Sequence, residues 1–368
     1  MNPTDKIPYE NLNLLNKEFE DKFKSQFDEF LNKGWYIMGE GLSRFESSFA
    51  AYNKAKFCIG VANGLDALEI GLQVFDFPKD SEIIVPSNTY IATILAIINV
   101  GLKPVLVEPD LVTYNINPNL IEQAITLKTK AIMVVHLYGQ VAPMEKIVLL
   151  AKKYNLEIIE DCAQAHGATI NHQKVGTFGN IGCFSFYPTK NLGALGDGGA
   201  IITSDENLYL KIKALRNYGS EKKYYNKYVG RNSRLDELQA IFLNEKLLYL
   251  DKINQQKIKL ARIYHSQLTN QVIKPVFAED CSHVYHIYNI RTEKRDELKK
   301  HLENQSIYTE IHYPVAPHLQ EGYQSLWKGS FPISEKIHAT TLSLPISYAT
   351  SIEQAEKVVQ AINQFFSL

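Results

Sequence analysis

Ala131-Ile132-Met133-Val134-Val135, then Met144-Glu145-Lys146-Ile147-Val148-Leu149-Leu150-Ala151-Lys152-Lys153-Tyr154, then Leu156-Glu157-Ile158-Ile159-Glu160 follow one another in the middle of this chain. The outer two are short apolar runs of strand type. The central one places its apolar residues at helical spacing and is closed by Asn155, a residue that tolerates the left-handed conformation of a helix end. Strand, helix, strand in this order is the unit of a wound α/β sheet with largely parallel strands.

The alternation continues on both sides. Upstream, Glu82 to Val85 is an apolar run stopped by Pro86, Thr89 to Val100 reads as a helix ended by Gly101, and Lys103 to Glu108 as the next strand. Asn117-Pro118 supplies an N-cap and a proline at the first helical position, opening a helix to about Ile125. Downstream, Gly182 to Ser185 and Ala200 to Thr203 complete the sheet. Past Ser233 a long helical pattern from about Leu235 to Tyr264 reads as a connector. It leads to a smaller α+β unit holding His283 to Ile290, a helix over Lys294 to Leu302 and another over Ile352 to Phe366. The expected division is a large domain over 1–245 and a small one over 246–368, with the first 35 or so residues an arm or capping helix.

The chain has 368 residues, 45% of them hydrophobic, which is enough for a sizeable core and argues against disorder. Its 39 basic and 40 acidic side chains leave a net charge of -1, so no field draws nucleic acid or an anionic membrane. The N-terminus lacks an apolar signal region, and no stretch reaches the roughly 18 to 20 apolar residues of a span, so a cytoplasmic protein is expected. Cys58, Cys162, Cys183 and Cys281 follow no CxxC spacing. Buried thiols are expected, with neither a disulfide framework nor a metal site.

The chemistry centres on Phe184-Ser185-Phe186-Tyr187-Pro188-Thr189-Lys190-Asn191-Leu192-Gly193-Ala194-Leu195-Gly196-Asp197-Gly198-Gly199. A lone lysine between a Ser-aromatic pair and a glycine-dense turn, with Glu160-Asp161 at the end of an apolar strand, has the parts of a pyridoxal phosphate site. Lys190 would hold the cofactor as a Schiff base, and Asp161 would pair with the pyridine nitrogen and keep it protonated. Gln164 is placed to bond the ring hydroxyl oxygen. Gly64 and Leu65, in Gly60-Val61-Ala62-Asn63-Gly64-Leu65-Asp66-Ala67-Leu68, stand where a loop enters a buried helix and free amides meet a phosphate. Tyr90 follows a strand end, where a wound sheet binds its ligand, and would stack on the cofactor; a core tyrosine is the alternative. His166 on its own reads as a core histidine. In Gly230-Arg231-Asn232-Ser233-Arg234-Leu235, Ser233 reads as a helix N-cap, and the surrounding Arg231, Asn232 and Arg234 point to an anionic ligand or a subunit contact.

These residues together resemble the DegT/DnrJ/EryC1 family of sugar aminotransferases, with the fold of aspartate aminotransferase (fold type I of the pyridoxal phosphate enzymes). The resemblance is strong from Gly60 to Ala240, because the four segments recur in the family's order and spacing. It implies a homodimer with active sites at the subunit boundary. Ser185 and the Gly64 and Leu65 amides would hold the cofactor phosphate of their own subunit, and the Asn232 loop would reach the partner's. Two departures bear on substrate: Leu65 replaces a common threonine, and Tyr187-Pro188 replaces a histidine-containing stretch. This variant is similar to the subgroup that aminates C3 of dTDP-linked 3-keto-6-deoxyhexoses with L-glutamate as donor; C4 amination of a dTDP- or UDP-linked 4-keto sugar is the alternative. Tyr187, Arg231, His312, Tyr313 and His318 would line the sugar nucleotide pocket, with solvent exposure the competing reading for the last three.

Other classes are disfavoured by particular residues. A dehydratase of the same family would carry histidine at position 190. A non-catalytic regulator has no need of both Asp161 and Lys190, and a nicotinamide dehydrogenase would show a GxGxxG after an early strand.

Overall fold

The computed structural model of the protein describes residues 6–276 and 282–367, so Cys281 lies outside the described residues. Three N-terminal helices, α1 (Leu12–Asn16), α2 (Glu20–Lys33) and α3 (Glu40–Asn53), precede the alternating part of the chain. That part runs β1 (Phe57–Val61), α4 (Gly64–Gln73), β2 (Glu82–Pro86), α5 (Ile91–Asn99), β3 (Lys103–Val107), α6 (Pro118–Ala124), β4 (Thr129–Val135), α7 (Met144–Tyr154) and β5 (Glu157–Asp161). After a small hairpin of β6 (Thr169–Ile170) and β7 (Gln173–Lys174) come β8 (Ile181–Ser185), β9 (Gly199–Thr203) and α8 (Glu206–Leu215). A second hairpin, β10 (Ser220–Lys222) with β11 (Tyr225–Asn226), leads to α9 (Glu237–Leu247) and α10 (Leu250–Gln267). The chain ends with β12 (Tyr288–Arg291), α11 (Arg295–Asn304), α12 (Pro332–Thr340), β13 (Thr341–Leu344) and α13 (Ile352–Ser367).

Seven strands form one sheet in the order β1-β9-β8-β5-β4-β2-β3. β2, β3, β4, β5 and β8 pair in parallel, while β9 is antiparallel to both β8 and β1. β9 thus runs against the other six, and the loops after β1, β2, β4, β5 and β8 all leave from one edge of the sheet. That edge is where a wound α/β sheet places its ligand. The sheet is packed on both faces. One apolar cluster joins Phe45, Phe49, Ile132, Val134, Phe184, Phe186 and Leu243, and the other joins Val61, Leu68, Ile83, Val85, Met133, Ile159 and Ile201. A separate cluster of Ile258, Tyr264, Tyr288, Leu298, Leu342, Val358 and Ile362, with Ile7 from the N-terminal arm, fills the C-terminal unit.

Local side chains cap several helices. Asn63, Asn117 and Asp205 each accept a backbone N–H of the first turn of α4, α6 and α8. Asn155 closes α7 at φ 52°. The start of α3 is different: Gly39 has no side chain to cap it, and the buried carboxylate of Glu237 on α9 accepts the N–H groups of Gly39, Gly41 and Leu42 at 2.9, 2.5 and 3.0 Å.

Three expectations change. The single long helix over 235–264 is two helices, because the chain tightens at Leu248 and Tyr249, whose N–H groups reach Glu245 and Lys246 three residues back. α9 can then pack on α3 and α10 on α13. Ser233 is not an N-cap: α9 begins after Asp236, and the Ser233 hydroxyl instead accepts the Ala62 N–H at 3.1 Å. The loop expected before α4 contains a full strand, β1, in which Gly60 is required because a Cβ there would meet Leu42 and Leu235 side-chain atoms at 2.8–2.9 Å. Among the described residues no helix is long and apolar enough to cross a membrane.

Phe49 sits edge-on to Phe184 and Phe186, the residues flanking Ser185, with centroids 5.0 and 5.4 Å away. Phe49→Ala is expected to cost about 3–5 kcal/mol of stability, checked by urea unfolding, since it empties a fully buried site that the sheet cannot collapse to fill.

Candidate active site

The site starts from strand register. Ser185 and Val61 both pair with Gly199 of β9, so the turn at Gly64 and the hydroxyl of Ser185 meet across one glycine. A Cβ on Gly199 would lie 2.4 Å from the Asn63 carbonyl oxygen, and one on Gly64 would lie 2.6 Å from Ser185 Cβ. Only glycines allow this approach. Asn63 takes up the N–H groups of Asp66 and Ala67, leaving the first amides of α4, those of Gly64 and Leu65, beside the Ser185 hydroxyl.

Asp161 ends β5 and is buried. The Thr93 hydroxyl donates to Oδ2 at 2.8 Å and the Ala163 N–H to Oδ1 at 3.1 Å. Burial raises its pKa against the opposing pull of these donors and of Lys190. A carboxylate so placed is suited to a cationic partner. Behind it, Glu160 points to the opposite face of the strand, where the N–H groups of Gly176, Phe178 and Gly179 donate to it at 2.7–2.8 Å. His136 Nε2 lies 2.9 Å from the same carboxylate and its Nδ1 accepts the Ala142 N–H, so the imidazole is the neutral tautomer that donates to Glu160. Cys162 lies beside this pair. The oxygens of Glu160 are filled by protein donors, and the cluster pins the strand end rather than offering open metal ligands.

Lys190 is held in a loop clamped from two sides. Its N–H closes a turn on the Tyr187 carbonyl at 2.8 Å. Its neighbour Asn191 donates to Asn254 of α10 and to the Val284 carbonyl, and the buried Lys246 ammonium donates to the Gly193 carbonyl at 2.6 Å. The Lys190 side chain is partly exposed to the cleft, faces Asp161, and has its Nζ 3.4 Å from His286 Nε2. Burial lowers its pKa to about 8; Asp161 opposes the shift and the buried Lys257 adds to it.

The remaining wall comes from the sheet edge and the C-terminal unit. Gln164 accepts the Tyr138 N–H at 2.6 Å and donates to the Tyr313 hydroxyl at 3.0 Å. Tyr313 in turn lies 5.3 Å, ring to ring, from the exposed Tyr90. The Tyr138 hydroxyl donates to the His312 carbonyl, and His312 packs on Tyr9 of the N-terminal arm. Burial, then Lys190, lowers the His312 pKa to about 4.

The structure therefore brings Lys190, Asp161, Gln164, Gly64, Leu65, Ser185, Tyr90, His312 and Tyr313 to one edge of the sheet, with Tyr187 exposed at its rim. Two expected pocket residues are held elsewhere. Arg231 is ion-paired to Glu69 and Asp66 and bonded to Gln73, all on α4, so its charge is spent on the flank of that helix. His318 is buried against Glu335 of α12, 3.0 Å away. Asn232 is exposed, its backbone bridged to Asn217. Sequence reading missed Thr93, Lys257 and His286. Thr93 carried a signal, one helical turn after Tyr90; His286 lay within the run His283 to Ile290, read only as part of the smaller α+β unit.

The family model for the DegT/DnrJ/EryC1/StrS aminotransferase family matches residues 17–363. The chain belongs to this family. It is 52% identical over 360 residues to the dTDP-3-amino-3,6-dideoxy-alpha-D-galactopyranose transaminase of Aneurinibacillus thermoaerophilus, covering 98% of this chain and 99% of that protein. Streptomyces venezuelae DesV superimposes with a TM-score of 0.95 at 40% identity, covering 98% of each chain. Bacillus subtilis NtdA, solved with bound cofactor PMP, superimposes with a TM-score of 0.93 at 32% identity, covering 99% of this chain and 86% of that one. The protein is thus an aminotransferase of fold type I, and its cofactor is pyridoxal phosphate. The residues present fit that group: a glycine-lined helix start beside a hydroxyl for the phosphate, a buried acid for the pyridine nitrogen, and an amine between them.

A buried lysine leaves a thermodynamic trace. With the folded pKa near 8 and the unfolded one at the ordinary 10.5, the folded state resists protonation, so Lys190 destabilises the cofactor-free protein fully below pH 8. The penalty fades as pH rises from 8 to 10.5. Lys190→Met in cofactor-free protein is expected to raise the melting temperature at pH 7, with a smaller gain at pH 9.5, as read by scanning calorimetry.

Proposed function

We propose that this enzyme moves the amino group of L-glutamate to C3 of a dTDP-linked 3-keto-6-deoxyhexose, giving 2-oxoglutarate and a dTDP-3-amino-3,6-dideoxyhexose. The observation that carries the chemistry is the Lys190 amine, opening on the cleft, facing the buried Asp161 carboxylate at the carboxyl edge of the sheet. The position of the amine is supported by similarity to the A. thermoaerophilus transaminase, whose product name places nitrogen at C3. That likeness favours C3 over C4.

Bound at this edge, pyridoxal phosphate supplies an electron sink that allows an amino acid Cα–H to ionise and an amino group to pass between carbonyl compounds. The chain's own residues do the rest. Ser185 and the Gly64 and Leu65 amides bind the phosphate, and Asp161 keeps the pyridine nitrogen protonated. Gln164 orients the ring edge, and Tyr90 flanks the cleft. Lys190 anchors the cofactor and, when released, is a base matched to neutral pH: a useful fraction of an amine with pKa about 8 is unprotonated. It takes the Cα proton of glutamate, and in the second half-reaction it gives a proton to C3 of the sugar. His312, Tyr313 and Tyr187 are the side chains placed to contact the sugar; His312 Nδ1 is engaged with the Ser343 hydroxyl at 2.9 Å, which leaves Nε2 for a sugar hydroxyl.

The assembly we propose is a homodimer with shared active sites. Asn232 supports it, as an exposed residue on a loop whose neighbours Ser233 and Arg231 are fixed inward. The exposed apolar residues Phe27, Leu31, Trp35, Tyr36 and Ile37 on and after α2 support it as well.

Protein incubated with pyridoxal phosphate is expected to gain a visible absorption band that glutamate bleaches, and Lys190→Ala is expected to lose both the band and turnover, by about 10³-fold or more. Glutamate with a panel of dTDP- and UDP-linked 3-keto and 4-keto sugars, followed by NMR of the product, locates the new amine. Amination confined to 4-keto sugars would refute the C3 assignment.

A further inference from the structure

His286 has no part in the chemistry described so far, yet its ring lies within hydrogen-bond distance of the Lys190 amine, Nε2 to Nζ 3.4 Å. It is 9% exposed, and its Nδ1 is buried with no hydrogen-bond partner. Its placement is built from several sides. The Lys257 ammonium donates to the His286 carbonyl at 3.3 Å, the Ile287 N–H donates to the Tyr138 carbonyl at 3.2 Å, and Gly139 leaves no room for a Cβ, which would lie 2.9 Å from the His286 nitrogen. The same segment is tied to the lysine's own loop, because Asn191 donates to the Val284 carbonyl. Two anchored loops thus bring the imidazole and the amine side by side.

The surroundings also fix the protonation of the ring. Asp161 at the end of β5, His166 in the turn after it, Lys257 on α10 and His312 before α12 all face this space with Lys190. Burial first, then Lys190, Lys257, His312 and His166, hold His286 far below the ordinary histidine range, so it is a neutral imidazole. A neutral ring beside an ammonium must present its bare nitrogen, which places its proton on Nδ1.

We propose that His286 is a positioning residue for Lys190: its Nε2 accepts a hydrogen bond from the Nζ–H of the uncoupled lysine and holds the amine toward Asp161 while it carries a proton. The role in turnover rests on the transamination reading, whereas the contact itself does not.

The test uses His286→Phe and His286→Gln. In cofactor-free protein, brief acetic anhydride labelling across pH 6.5–9.5, with mass spectrometry of the Lys190 peptide, gives the pH midpoint of lysine reactivity. Loss of the acceptor in His286→Phe is expected to lower the midpoint by about half a unit or more, and His286→Gln, which keeps an acceptor oxygen, to stay near wild type. In the loaded enzyme kcat of His286→Phe is expected to fall about tenfold or more with KM for both substrates little changed, and glutamine to restore most of it. A midpoint that is unchanged or raised in His286→Phe, or shifted as far in His286→Gln as in His286→Phe, would overturn the proposal and leave the ring a packing element. Because the labelling is read without cofactor, that failure is distinct from a failure of wild-type protein to form the visible band, which would refute the transamination reading.

Discussion

An amine and a carboxylate facing each other at the carboxyl edge of the sheet set the terms for the rest of this molecule. Each group is disfavoured by burial in its charged form, and the two shifts run in opposite directions: Asp161 upward, Lys190 down to about 8. Close contact would have let them neutralise each other as a fixed ion pair, a poor arrangement for the covalent role proposed for the amine. The protein instead satisfies Asp161 with a threonine hydroxyl and a backbone amide, and leaves the lysine beside a neutral imidazole.

Keeping that arrangement requires a rigid support, and much of it lies one layer behind the cleft. Glu160 is the structural counterpart of Asp161, one residue earlier and on the other face of the strand. Four donors saturate it, including His136 from the end of β4, so the last turn of β5 cannot rotate without exposing a buried charge. The lysine loop is fixed in a comparable way. Asn191 and Gly193 are bonded to α10 and α9 through Asn254 and Lys246, so the two helices that lead into the C-terminal unit also hold the reactive loop. Movement of those helices would be transmitted to Lys190 directly.

The elements that could be read along the chain were those whose signals are local. α7 runs over Met144 to Tyr154 as its periodicity requires, α6 starts at the proline after Asn117, and β2 to β5 fall on the apolar runs. Segments answering to remote partners were harder. β1 was obscured by Gly60, whose bareness serves Leu42 and Leu235. Ser233 looks like a cap in sequence but serves Ala62, 171 residues away, and the start of α3 is capped by Glu237 at similar separation. Arg231 reads as an anion ligand until its carboxylate partners on α4 are seen.

The sequence by itself determined the chemistry of this protein. The types and order of Gly64, Asp161, Gln164, Ser185 and Lys190 leave few cofactors that could use them, because a lone amine, a strand-end acid and a bare helix start make one kind of site. Tertiary structure alone decided how that chemistry is tuned. Lys257, Thr93 and His286 come from distant segments, Thr93 bonded to the acid and Lys257 and His286 set near the amine, and these placements depend on separations of a few ångströms and on burial, neither of which a linear pattern encodes.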